Sequence, residues 1–244
     1  MSDAFDSTLR KGDRGKSVRL AQEWLSFHGF RTAIDGLFGP ATEVTTQNFQ
    51  KKSGLSITGV VDGVTQTALL SPIEAVQQAI PAGSKSRGDL YVAYARQHLK
   101  QHPIEIGGEN RGPWVRLYMN GNEGPEWPWC AGFATWVLRQ ACRTIGVPMP
   151  HHYAFGCDFL AVKGQASGSF FSVRKPEDLP LVKPGYLFLV RRTPNDWTHV
   201  GIVEAVQGDT MTTIEGNTND LGSREGFEVC RRTRSLSDKD FLIV

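Results

Sequence analysis

Apolar positions recur at helical spacing through the first half of the chain and become continuous apolar runs in its last quarter, so helices are expected first and strands afterwards. From Ser17 to Phe27, Val18, Leu20, Ala21, Trp24, Leu25 and Phe27 make a broad apolar face, with Arg19, Gln22, Glu23 and Ser26 opposite and Gly29 as the stop. His28 extends the apolar side as a packed helix-end histidine. A second helix follows Pro40, carries Val44 and Phe49, and ends at Gly54. Ser71-Pro72-Ile73-Glu74 is a capping-box pattern with proline at the first helical position, which predicts a separate short helix to about Ile80. Asp89 is expected to cap a helix bearing Leu90, Tyr91, Tyr94, Ala95 and Leu99 and limited by Pro103, with His98 and His102 on its surface. From Cys130, one stripe runs through Phe133, Ala134, Val137, Leu138, Ala141 and Ile145, with Arg139, Gln140 and Arg143 opposite and Gly146 and Pro148 as the stop. Residues 151–169 read as loop with a short helix around Asp158 to Val162. Strands are expected at Tyr186 to Val190, Thr198 to Val206 and from Thr210 to Ile214 or beyond, with Phe227 to Cys230 and Phe241 to Val244 closing a sheet.

Pro81-Ala82-Gly83-Ser84-Lys85-Ser86-Arg87-Gly88 has linker composition, which divides the chain into a domain over 1–70, a linker with a short helix over 71–88, and a domain over 89–244. In the first domain an apolar residue, Asp-Gly, a spacer, Thr and a helix occur twice, at Ile34-Asp35-Gly36 and at Val61-Asp62-Gly63; Asp can cap such a turn and Gly can supply positive φ. In the second, helices followed by neighbouring strands indicate an α+β fold with an antiparallel sheet. The 244 residues can fill two modest cores, and 27 Lys+Arg against 25 Asp+Glu argues against a nucleic-acid partner. Ser-Asp-Ala-Phe-Asp-Ser after Met1 has neither a basic nor an apolar leader segment, and no run is long enough to span a membrane. Four irregularly spaced cysteines are expected as reduced thiols, without the paired spacing of a zinc site. Asn120, Asn122, Glu123 and Glu126 read as a solvated loop without a calcium-ligand pattern.

Chemistry concentrates at Cys130. In the first turn of a helix, unpaired N–H groups and the positive end of the helix dipole favour thiolate over thiol. His199 leads the apolar strand His199-Val200-Gly201-Ile202-Val203, a place from which an imidazole can exchange a proton with a thiol on a helix packed against the sheet. Glu215 and Asn217 follow on the next strand, and side chains two apart share one face, so either can hold the imidazole in one tautomer. Trp129 and Trp197, one and two residues before the nucleophile and the base, are the expected substrate contacts. No metal and no cofactor is called for.

Two stretches resemble known families. Residues from about Leu9 to Leu70 resemble the peptidoglycan-binding type 1 domain, a three-helix module, through Leu-Arg-Lys-Gly-Asp-Arg-Gly, Asp35-Gly36-Leu37-Phe38-Gly39, Phe49-Gln50, Gly54-Leu55 and Asp62-Gly63. Residues from about Asp89 to Val244 resemble the papain-like CHAP and NlpC/P60 cysteine peptidases that cut peptidoglycan, including phage endolysins. Trp129-Cys130-Ala131-Gly132-Phe133, Trp136-Val137-Leu138, Lys183-Pro184-Gly185, His199-Val200-Gly201-Ile202-Val203 and Glu215-Gly216-Asn217 carry this likeness. It implies Cys130 as nucleophile, His199 as base and Glu215 or Asn217 as the third member, with the Cys130 N–H in an oxyanion hole. Many relatives carry Gly-Asp where this chain has Gly185-Tyr186, and the acidic calcium loop of some CHAP lysins is missing. The expected activity is cleavage of an amide bond of the wall peptide by a monomer whose partner is bacterial peptidoglycan. The muramoyl–L-alanine amide is slightly favoured over a peptide bond of the stem or cross-bridge, and a non-catalytic wall-binding protein is the reading of another class. Such a protein is expected to be made in the cytoplasm and to reach the wall through phage lysis or a secretion machine.

Overall fold

The computed structural model describes residues 5–219 and 226–244; Met1 to Ala4, part of the stretch read as lacking a leader, lie outside the described residues. Among the described residues the helices are α1 (Lys16–Phe27), α2 (Pro40–Lys52), α3 (Gly63–Gln77), α4 (Arg87–Gln101), α5 (Pro113–Tyr118), α6 (Cys130–Thr144) and α7 (Cys157–Ser167). The strands are β1 (Phe170–Ser172), β2 (Leu187–Thr193), β3 (Asp196–Gln207), β4 (Thr210–Thr218), β5 (Glu228–Ser235) and β6 (Lys239–Leu242). No helix among them is long and apolar enough to cross a membrane. Two compact units form, Met1–Gln77 with Ile104–Gly124 and Gln78–Pro103 with Pro125–Val244. Residues 104–124, grouped from the sequence with the second domain, fall in the first unit.

In the first unit, α1 buries Val18, Leu20, Ala21, Trp24 and Leu25 as its periodicity requires, but Gln22 and Glu23, expected on the solvent face, are buried too. Each is buried because it has partners there. The Gln22 amide donates to Asp35 (2.9 Å) and the Leu37 carbonyl (3.0 Å) and accepts from the Gly36 N–H (2.9 Å), closing the Asp35-Gly36 turn. Glu23 accepts from the Arg116 guanidinium at 2.5 Å, and Trp114 of α5 packs edge-on against Trp24. The turn at Thr58-Gly59 repeats the device with Gln50, which donates to the Val60 carbonyl (2.8 Å) and Thr65 (3.0 Å) and accepts from the Thr58 and Gly59 N–H groups. Asp62-Gly63, expected to be the second such turn, is instead the start of α3, where Asp62 accepts from the Thr65 N–H at 2.9 Å. A buried polar side chain is retained when its hydrogen bonds are complete. Glu123, read as part of a solvated loop, is instead held by Arg116 (2.7 Å) and the Gly112 N–H (2.9 Å).

The helix expected to begin at Ser71 does not exist as a separate element, because α3 runs through Pro72. Proline at 72 has no N–H for the Ala68 carbonyl four residues back, and the Ser71 hydroxyl donates to that carbonyl at 2.9 Å. Ser71 therefore repairs a helix interior where the sequence pattern suggests a helix start.

In the second unit every pairing is antiparallel and the six strands run in the order β1-β6-β2-β3-β4-β5. The α+β class holds. Strand β1 begins just past the stretch expected to be loop, at residues given no element from the sequence, and α7 extends well beyond the short helix expected there. Helix α4 is capped by Ser86, with Asp89 returning a bond to the Ser86 N–H (3.0 Å), so Asp89 is the inner half of the capping box and not the cap itself. His98, expected at the surface, is fully buried between Phe133 and Trp136 and hydrogen-bonds Gln140 at 2.9 Å. Helix α6 packs on one side against α4 and on the other against β3 and β4, which brings its first turn over the sheet.

Within the sheet, side chains of β2 and β4 leave no room for one at position 201 of β3. A Cβ at Gly201 would lie 2.5 Å from Phe188 Cε1 and 2.7 Å from Glu215 Cγ. Gly201→Ala is therefore expected to destabilise the domain by about 1–3 kcal/mol, the range for overpacking a filled core. Denaturant titration reads this as a lower midpoint, and an unchanged midpoint would show that the packing is looser than these distances imply.

Candidate active site

Cys130 is the first residue of α6 and only 5% exposed, with Trp129 in the capping position. Thr135, one turn further on, donates to the Ala131 carbonyl (2.8 Å) and accepts from the Ala154 N–H (3.3 Å), which ties the incoming loop to this helix. The sulfur lies 3.7 Å from that of Cys157, the first residue of α7. Two helix N-termini thus meet at one pair of thiols.

His199 is the fourth residue of β3, not its first, and the strand is irregular just before it. Val190 pairs with His199 while Arg191 pairs with Trp197, leaving Thr198 as the extra residue of a bulge. A bulge turns the following side chain out of the regular alternation. The ring of His199 is in hydrogen-bonding reach of the Cys130 sulfur, and its Nε2 donates to Glu215 Oε2 at 2.8 Å, which leaves Nδ1 for the sulfur.

Glu215 is completely buried and fully engaged. It also accepts from Arg234 Nε and Nη2, both at 2.6 Å, and from the Thr213 hydroxyl at 2.5 Å. Asn217 does not continue the strand alternation. The β4–β5 register shifts between Glu215 and Thr218, and Asn217 takes a left-handed conformation (φ 54°). Its Oδ1 accepts from the Trp129 N–H at 3.0 Å and its Nδ2 donates to the Gly226 carbonyl at 2.6 Å. Period-two reasoning across Gly216 put Glu215 and Asn217 on one face; the bulge sends one to the imidazole and the other to the residue that precedes the cysteine. Gly216 is required there, since a Cβ would come within 2.8 Å of both Phe133 and Trp129.

The charges follow from these contacts. The hydrogen bond from Cys157 holds the Cys130 thiol well below its ordinary pKa; burial opposes this, and His199 adds to it. Burial works to lower the His199 pKa, but the Cys130 sulfur and the Glu215 carboxylate outweigh it and raise the imidazole to about 9. For Glu215, burial pushes upward and is overcome by Arg234 and His199, which bring it to about 2. These directions favour a thiolate beside an imidazolium, backed by a carboxylate and a guanidinium.

The tryptophans expected to contact substrate are both occupied by packing. Trp129 is fully buried. Trp197 has its ring against Phe170 and under Arg191, and its indole N–H donates to Asp240 at 2.6 Å. Its N–H on the backbone donates to Asp158 at 2.6 Å, which ties the start of α7 to β3 two residues before His199. Sequence reasoning missed Cys157, Arg234 and Thr213. Cys157 and Arg234 lie 27 and 19 residues from Cys130 and Glu215, and nothing in that spacing signals that they converge; Thr213 is two residues before Glu215 on the same strand, and period-two alternation is the signal that could have found it.

Residues 14–69 match the family model described as a putative peptidoglycan binding domain, and residues 120–217 match the CHAP domain. The carboxy-terminal processing protease CtpA of Bacillus subtilis is 30% identical over 69 residues, covering 28% of this chain and 15% of that protein. The zinc D-Ala-D-Ala carboxypeptidase of Streptomyces albus G is 38% identical over 64 residues, covering 25% of each. The chain thus spans a quarter or less of the length of these curated relatives. Among solved structures, the SleB N-terminal domain is 34% identical, with 28% of this chain and 96% of that one covered and a TM-score of 0.27. The chain carries a peptidoglycan-binding domain followed by a CHAP domain.

Proposed function

We propose that this chain, in which a peptidoglycan-binding domain precedes a CHAP domain, is a cysteine-dependent peptidoglycan hydrolase with Cys130 as nucleophile. The observation that carries this reading is the continuous line of contacts from the Cys130 sulfur through His199 to Glu215 and Arg234. The thiolate attacks the carbonyl carbon of an amide in the wall peptide. The Cys130 N–H, at the start of α6, stabilises the oxyanion that forms. The His199 imidazolium then gives its proton to the departing amine, which leaves a thioester on Cys130. Neutral His199 next takes a proton from water, and the resulting hydroxide releases the acyl group. Glu215 keeps the Nε2–H tautomer and stabilises the imidazolium, as the third member of such triads does. The peptidoglycan-binding domain raises the concentration of cleavable bonds near the site.

Among wall amides we favour the one between muramic acid and L-alanine, in keeping with the amidohydrolase character of the CHAP resemblance; an endopeptidase cut in the stem or cross-bridge is the alternative. Digestion of purified sacculi followed by mass spectrometry decides between them. A new free amine on L-alanine is expected, one elsewhere in the peptide makes the enzyme an endopeptidase, and sacculi that release no fragments sink the hydrolase reading.

The pH profile provides a separate check. The imidazolium is present below its pKa of about 9 and lost above it. Cleavage is therefore expected to be flat across neutral pH and to fall on an alkaline limb near pH 9. A profile that rises through pH 9 would mean that the thiol, not the imidazolium, titrates last.

A further inference from the structure

We propose that Cys130 and Cys157 form a dithiol that a hydroperoxide converts reversibly into a disulfide, making this pair an oxidative modification site with Cys157 as the resolving thiol. The sulfurs are 3.7 Å apart and both cysteines are free in the structure. Closing to a bond of about 2.05 Å takes a movement of about 1.7 Å, which two side-chain rotations can share. Both residues open helices, and the start of α7 is fastened to β3 through Asp158 and the Trp197 N–H, so Cys157 is held beside the nucleophile by the fold. The contact pairs a thiolate-forming cysteine with a neighbour that hydrogen-bonds its sulfur but takes part in no bond made or broken during hydrolysis.

The chemistry balances with the peroxide as oxidant. The Cys130 thiolate attacks one peroxide oxygen; an S–O bond forms, the O–O bond breaks, and the leaving hydroxide is protonated to water. Cys130 is then a sulfenic acid, oxidised by two electrons. Cys157 loses its proton and its sulfur attacks the Cys130 sulfur; the S–S bond forms, the S–O bond breaks, and hydroxide leaves with that proton as a second water. The Cys157 thiol is held well above its usual pKa first by its bond to the Cys130 sulfur, then by burial and by the charge on that sulfur. Oxidation of Cys130 to a neutral sulfenic acid removes that negative charge, so the resolving step is opened by the step before it. The disulfide occupies the nucleophile and shields it from irreversible oxidation to sulfinic and sulfonic acids.

The test is treatment of the full chain with hydrogen peroxide, followed by non-reducing peptide mass spectrometry and by assay before and after dithiothreitol. The expected product is a cross-link between the Cys130 and Cys157 peptides, lighter than their sum by two hydrogens. Each protein's activity is referred to its own untreated value. Dithiothreitol is expected to restore the wild type roughly tenfold more completely than Cys157→Ser or Cys157→Ala, in which Cys130 proceeds to sulfinic acid. Sulfinic acid at Cys130 in the wild type without the cross-link overturns the proposal, as does equal recovery in wild type and variants. The cross-link is read by mass alone, so it stands or falls separately from the hydrolase reading, and the wild-type result does not depend on either variant folding.

Discussion

Cys130→Ala is expected to lower the clearing of purified sacculi by at least about 10⁴-fold, the order lost when the nucleophile of a Cys- or Ser-dependent triad is removed. The side chain is small and almost fully buried at the first turn of α6, so the substitution deletes one sulfur and leaves the helix start in place. Circular dichroism unchanged from the wild type, together with lost clearing, assigns the effect to chemistry. Equal clearing by the two proteins would end the cysteine mechanism. The same sulfur should also be the first to react with iodoacetamide in mildly acid buffer, because Cys142 is pushed upward by burial whereas Cys130 is held well below the ordinary range by Cys157 and His199. Uniform labelling of all four cysteines would contradict that ordering.

Glu215→Gln carries the second large effect. The amide keeps the shape of the side chain but removes the charge that faces both His199 and Arg234. Activity is expected to fall about 10²–10⁴-fold, by analogy with loss of the orienting carboxylate in other triads. The alkaline limb should move well below pH 9, since Glu215 is one of the two groups that raise the imidazole. A defect of folding alone would lower the active fraction without moving that limb, so the pH profile separates the two causes. Stability should fall as well. The Arg234 side chain is 23% exposed and can turn toward water, which keeps the loss short of the ~3–5 kcal/mol typical of breaking a fully buried pair. Linkage gives the sign. Glu215 has a folded pKa lowered to about 2, so its contribution is present at neutral pH and lost as the pH falls below the ordinary carboxylate range toward 2. His199 acts in the opposite sense. Its contribution is full below the ordinary imidazole range and is lost as the pH rises through about 9.

How much of this was legible in the sequence differs by feature. The α6 stripe, the apolar runs of β2 and β3, and the Asp35-Gly36 turn depend on interactions between residues near in the chain, and composition and spacing report such interactions directly. Cys130 at a helix start and His199 on an apolar strand were legible for the same reason. The errors fall where a distant partner reverses a local preference. Gln22, Glu23 and His98 look like surface residues by helical spacing, yet the turn at Asp35-Gly36, the guanidinium of Arg116 and the amide of Gln140 give each a buried partner. Ser71-Pro72 looks like a helix start, and only its position one turn after Ala68 in a packed helix makes it an interior repair.

What the sequence by itself determined is the order of helices and strands, the α+β class and the placing of Cys130 at a helix start and His199 on an apolar strand, because periodicity and helix-end chemistry are local properties. What only the tertiary structure decided is which side chain holds the imidazole, where Asn217 goes, and that Cys157 and Arg234 join the site. Those depend on two β-bulges and on the convergence of two helix ends, and one added residue in a strand reverses which face every following side chain occupies.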